Sequence, residues 1–133
     1  YEIPKRDWSS DVCSSDLHRP RNAPPEILAF DVQPDRMLTN RRHFVTSGGD
    51  GMAMDTAGRL YIAVPASSYR ADEVIGVRVF SPQGKDLGTI PTGLTPNSVG
   101  FGGPDKRTFY IVGRRNGLQK IQLLSQGVLT RGK

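Results

Sequence analysis

A chain that returns to its own pattern at an interval of 41–50 residues is constrained to build similar units and stack them. Gly49-Asp50-Gly51-Met52-Ala53-Met54 is matched in pattern, 47 residues on, by Pro96-Asn97-Ser98-Val99-Gly100-Phe101. Leu60-Tyr61-Ile62 returns as Phe109-Tyr110-Ile111 after 49 residues, and Ile27-Leu28-Ala29-Phe30 as Val77-Arg78-Val79-Phe80 after 50. Gly76-Val77-Arg78-Val79-Phe80 returns as Gly117-Leu118-Gln119-Lys120-Ile121 after 41.

The units are made of short β-type runs. Ile27–Val32, Met37–Val45, Met52–Met54, Leu60–Val64, Gly76–Phe80, Leu87–Ile90, Ser98–Phe101, Thr108–Val112 and Leu118–Leu123 are rich in branched and aromatic residues. Turn residues separate them: Gln33-Pro34-Asp35, Asp55-Thr56-Ala57-Gly58, Ser81-Pro82-Gln83-Gly84 and Gly102-Gly103-Pro104-Asp105. No stretch keeps apolar residues at helical spacing, and fifteen Gly with ten Pro in 133 residues oppose a helix bundle. The fold class expected is all-β.

Four short strands per repeat of this length is the pattern of a propeller blade. Ile27–Val45 then supplies the two outer strands of one blade, Gly51–Pro91 a complete blade, and Asn97–Leu123 three strands of the next. A closed ring needs at least about four blades. The expectation is therefore an incomplete domain, the C-terminal two to three blades of a larger propeller, whose missing N-terminal blades are its first partner. Made alone, it would leave blade faces and edges open and should be unfolded or insoluble.

The first seventeen residues stand apart. Asp7-Trp8-Ser9-Ser10-Asp11-Val12-Cys13-Ser14-Ser15-Asp16-Leu17 resembles, without a mismatch, the translation of a DNA adapter used in short-read sequencing, and Tyr1-Glu2-Ile3 resembles an earlier piece of it. Residues 1–17 are expected to be adapter-derived and unstructured, and residues 18–133 to be the partial propeller. With 1–17 go the single Trp and single Cys, and with them any thiol chemistry. Setting aside Lys5, Arg6, Glu2, Asp7, Asp11 and Asp16 leaves sixteen basic against nine acidic residues, a net charge of +7 in place of +5.

The string Gly49-Asp50-Gly51-Met52-Ala53-Met54-Asp55-Thr56-Ala57-Gly58-Arg59-Leu60-Tyr61-Ile62-Ala63 resembles the senescence marker protein/gluconolactonase family of six-bladed propellers. Gly76–Lys85 and Asn97–Ile111 add two further motifs in the same order, and Ala29-Phe30-Asp31-Val32 fits the strand before the Asp-Gly motif. The resemblance implies a six-bladed ring and a lactone hydrolase with one divalent cation, calcium or zinc, in its central channel. It implies that Asp50 is a metal ligand and catalytic residue. Gly49 stands where the family usually has proline. Asn97, the equivalent position one blade later, is implied to line the channel and contact substrate.

Each residue has a plainer reading beside this one. Ser47-Gly48-Gly49-Asp50-Gly51 is good turn chemistry in its own right, and Asn97 can cap the Thr95-Pro96 turn. Carboxylate and amide oxygens are nonetheless what a hard cation takes, and a carboxylate beside such an ion can act as general base. Asp55 and Asp105 read as turn residues, Tyr61 and Tyr110 as packing between blades, and His43 as part of a solvated edge with Arg41 and Arg42. The basic residues come singly or in pairs without interleaved aromatics, so no nucleic-acid partner is expected. No apolar run approaches about 18 residues, and no membrane partner is expected either. The competing function is a non-catalytic propeller that binds a ligand through the same face, since a propeller alone does not fix chemistry. Amplifying the gene from source DNA, free of adapters, is expected to give a different sequence before His18; the same seventeen codons in an independent clone would reverse that assignment.

Overall fold

The computed structural model describes residues 25–64, 74–113 and 117–128. Residues 1–17 and most of the Pro65–Ile75 connection lie outside them. Nine strands are present in the described residues: β1 (Ile27–Val32), β2 (Leu38–Val45), β3 (Met52–Met54), β4 (Leu60–Ala63), β5 (Gly76–Phe80), β6 (Asp86–Pro91), β7 (Pro96–Gly102), β8 (Thr108–Gly113) and β9 (Gly117–Gln122). All pair antiparallel with their sequence neighbours, as a two-stranded sheet β1-β2, a four-stranded sheet β3-β4-β5-β6 and a three-stranded sheet β7-β8-β9. This is the partition expected from the repeats. Among the described residues no helix is long and apolar enough to cross a membrane.

Four hairpins share one turn design. Arg36, Gly58, Gly84 and Lys106 each donate a backbone N–H to the carbonyl three residues earlier, and each has a positive φ, between 55° and 79°. A tight turn followed by a left-handed residue matches the twist of the flanking strands. Asp or Ser side chains fix the corner: Asp35, Asp55, Ser81 and Asp105 each accept from the N–H two residues on. The Pro-Asp-Arg and Pro-Asp-Lys turns at Arg36 and Lys106 are the same solution used twice.

The chain divides into two units, residues 1–47 and 48–133. In the first, β1 and β2 form a hairpin held partly by Asp31, which accepts from Asn40 at 2.9 Å and from Arg42 at 2.8 Å. His43 is exposed and pairs with the Thr46 hydroxyl at 3.0 Å, in keeping with an edge role.

In the second unit the core lies between the four-stranded and three-stranded sheets. Tyr61, Val77, Phe109 and Ile111 are buried there, flanked by Ala53, Val79 and Ile90 from one sheet, by Val99, Phe101 and Ile121 from the other, and by Leu123 just beyond β9. Alternation along the strands produces this, because residues two apart share a face. Strand β4 is buried on both faces, with Leu60 and Ile62 opposite Tyr61 and Ala63. Tyr61, Phe101 and Phe109 make a three-ring contact with centroids 4.8–5.2 Å apart. Burying each large apolar side chain contributes about 1.5–3 kcal/mol, and each aromatic pair adds roughly 0.5–1.5 kcal/mol.

A polar knot closes one end of this interface. The Asp55 carboxylate is fully buried and accepts from the Ala57 and Arg59 backbone N–H groups at 2.9 Å, from Arg59 Nε at 2.7 Å and from the Tyr61 hydroxyl at 3.1 Å. Beyond β9 the chain returns to this corner. Thr56 N–H donates to the Gln126 carbonyl at 2.8 Å, Val128 N–H to Met54 at 3.2 Å, and Arg59 to the Ser125 hydroxyl at 2.9 Å. Gly127 N–H meets the Lys106 carbonyl at 2.8 Å, so the returning segment ties the turns of both sheets together.

Burial pushes the Tyr61 phenol above its ordinary 10.0, and the Asp55 charge beside it adds to the rise. The folded state therefore favours neutral Tyr61, and the stability this gives is present below pH 10 and lost as pH rises beyond it. Two outcomes are expected in variants of the protein. Asp55→Ala strands four donors and lowers stability by about 3 kcal/mol in denaturant melts. Tyr61→Phe loses less at neutral pH and has a shallower decline of stability above pH 10 than the unmodified protein; equal declines would remove Tyr61 as the titrating group.

Candidate functional site

Asp50 stands two residues before β3, and Asn97 is the second residue of β7. The backbone brings them to a common end of neighbouring sheets. Asp50 N–H donates to the Ala63 carbonyl and Ala63 N–H to the Gly51 carbonyl, each at 2.8 Å, which carries the β3-β4 pairing back to Asp50. Gly51 N–H then leaves its own sheet and donates to the Asn97 carbonyl at 2.8 Å.

Asn97 is free to accept that bond because it is excluded from the β7-β8 ladder. Pro96 faces Gly113 and Ser98 faces Val112, so Asn97 sits in a bulge with no partner on β8. Pro96, which lacks an N–H, begins the strand where the ladder does not need one. A bulge bends its strand and re-aims a side chain. The loop before it is held by Thr92, whose hydroxyl donates to the Leu94 carbonyl at 2.5 Å, and by Leu94 lying against Gly113 and Gly117.

Asp50 and Asn97 are both exposed. Gly49 is explained by its neighbour: a Cβ there would run into the Ile62 side chain, so a bulkier residue would displace a buried part of β4.

The donor chemistry at this end suits a hard divalent cation, one carboxylate with one amide oxygen. The donor number does not complete a site, since calcium takes about six to eight oxygens. Among the described residues no three of His, Cys, Asp and Glu gather as a metal site. Asp50 and Asn97 are thus two oxygen-bearing residues with the donor chemistry such a cation takes, and fewer than a closed site needs. The sequence singles out these two positions by their recurrence but carries no signal for the bulge at Asn97 or for the backbone bonds of Ala63. Asp105 and Tyr110 are not at this end. Asp105 serves its turn and accepts from Gln122 Nε2 at 3.4 Å, and the Tyr110 ring lies against Gly102.

Residues 22–115 match the SMP-30/gluconolactonase/LRE-like region, well over half of the chain. The chain belongs to this family. Its fold is also similar to the X-ray structure of a candidate gluconolactonase, with a TM-score of 0.56 and 22% identity over 79% of this chain. At that identity the likeness speaks for the fold alone. The chain spans 33% of the length of that structure. In this SMP-30/gluconolactonase-like chain the four-stranded sheet is one propeller blade and the three-stranded sheet is the inner part of its neighbour. Asp50 and Asn97 stand at the starts of the two innermost strands.

Proposed function

We propose that residues 18–133 are part of a lactone hydrolase whose remaining blades lie elsewhere in the complete gene product, and that residues 1–17 take no part in it. Asp50 is assigned to hold a divalent cation, calcium or zinc, and Asn97 to line the same channel and contact substrate. One observation supports the reading: the Gly51 N–H bond to the Asn97 carbonyl brings Asp50 and Asn97 to the same end of adjacent inner strands. Exposure of both residues, in a family named for gluconolactonase, supports it.

Bound there, a divalent cation supplies Lewis acidity toward a carbonyl oxygen. The chain's own residues do the rest. The Asn97 amide can donate to and accept from the hydroxyls of a polar lactone, which orients the ring. A carboxylate oxygen of Asp50 can take the proton from water as the water oxygen bonds to the lactone carbonyl carbon. The ring C–O bond then breaks, the ring oxygen receives a proton, and a hydroxy acid results.

The test is Asp50→Asn in the complete gene product. Hydrolysis of a sugar δ-lactone is expected to fall by about 10²-fold or more. Excess cation should restore part of the loss, because Asn keeps one oxygen ligand. The denaturant midpoint should barely move, as exposed substitutions usually stay within about 0.5 kcal/mol. Full activity in Asp50→Asn at limiting cation would refute the ligand role, and a complete protein that neither binds a cation nor opens a lactone would favour the binding-module reading.

A further inference from the structure

We infer that Gly51 is the positioning residue of this site, setting the separation of Asp50 and Asn97 through a backbone bond that only a residue without a Cβ can make. The inference rests on the reading of Asp50 and Asn97 as a cation-facing and substrate-facing pair. Three observations converge on it. Gly51 N–H donates to the Asn97 carbonyl at 2.8 Å, so residues 50 and 97 are each one peptide group or less from a single inter-blade bond. A Cβ on Gly51 would lie 2.5 Å from the Ser98 Cα, 2.9 Å from the Ser98 hydroxyl and 3.0 Å from the Asn97 carbonyl oxygen; the hydroxyl could turn away, but the two backbone atoms could not. Gly51 is not among the glycines with positive φ. What excludes other residues is the closeness of the neighbouring strand, not the conformation of Gly51 itself.

The geometry makes the two inner strands a clamp. Gly51 holds Asn97 on one side and, through its own carbonyl, Ala63 on the other, while Asp50 N–H binds the Ala63 carbonyl. Asn97 has no opposed residue on β8, and the Gly51 bond ties its carbonyl to the neighbouring blade. A methyl at Gly51 would push the Asn97-Ser98 backbone outward, widening the gap between carboxylate and amide while leaving every strand pairing within each blade intact.

The experiment measures cation affinity rather than turnover. Calcium chloride and zinc chloride are each titrated calorimetrically into the complete gene product, and the tighter of the two is carried through the variants. Gly51→Ala is expected to weaken affinity about tenfold or more, the range of a lost supporting contact. Gly127→Ala is the matched control. A Cβ there would collide with Phe101 in the same two-blade interface but far along the strands from Asn97. It is expected to lower the melting temperature and leave affinity unchanged. Equal weakening in both variants would overturn the inference, since the loss would then belong to general strain between the blades. Unchanged affinity in Gly51→Ala, with weakened affinity in Asp50→Asn, would overturn it while sparing the metal reading. If neither metal binds the unmodified protein, both fall. Should Gly51→Ala fail to fold, amide exchange decides: cation is expected to slow exchange of the Gly51 N–H about tenfold in the unmodified protein, and an unchanged rate would overturn the inference.

Discussion

The contact of Tyr61 with Phe101 and Phe109 is what the second unit is built around. It joins strands from two sheets that share no ladder, and it is the centre of a core drawn from both. Hydrophobic burial between sheets has no direction of its own. The direction comes from the rims. At one rim Asp55 and the returning segment 125–128 bind the turns together, and at the other Gly51 binds Asn97. The rings bury apolar surface between the sheets, and the two polar rims fix how the sheets align. A site assembled from two sheets depends on that alignment more than on the strength of either sheet.

Most of the fold was legible in the sequence because its information is local. A hairpin is specified by alternation on two strands and a turn between them, and Pro34-Asp35-Arg36 or Ser81-Pro82-Gln83-Gly84 state the turn outright. All nine strands and their grouping into two, four and three follow from such signals and from the repeat. Strand ends were less legible: β6 extends to Asp86 and Pro91 and β7 back to Pro96, since polar and Pro residues at a strand end give no alternation to read.

The candidate positions were legible in the sequence and the backbone geometry around them was not. Asp50 and Asn97 could be picked out because they recur one unit apart. Nothing in Pro96-Asn97-Ser98 states that Asn97 will drop out of its ladder, because a bulge depends on the register of the partner strand. Nor does Ser125-Gln126-Gly127-Val128 carry a strand pattern, yet these residues pair with the β3-β4 turn. The role of Asp55 was read as that of a turn residue, and it is one. Its second role, as acceptor for the Tyr61 hydroxyl, required knowing that β4 is buried on both faces.

The return of residues 125–128 to the β3-β4 corner bears on how the unit assembles in time. Every ladder here joins consecutive strands, so each hairpin closes a short loop and can form early. The Arg59–Ser125 bond joins residues 66 positions apart and closes a much longer loop. Loop entropy grows only slowly with length, so the delay comes from order: the segment has no place to dock until both sheets are aligned. On a ribosome it is also the last described part of the chain to emerge. The corner therefore acts as a latch that can engage only on a correctly matched pair of sheets, and its engagement reports that the two inner strands have found their register.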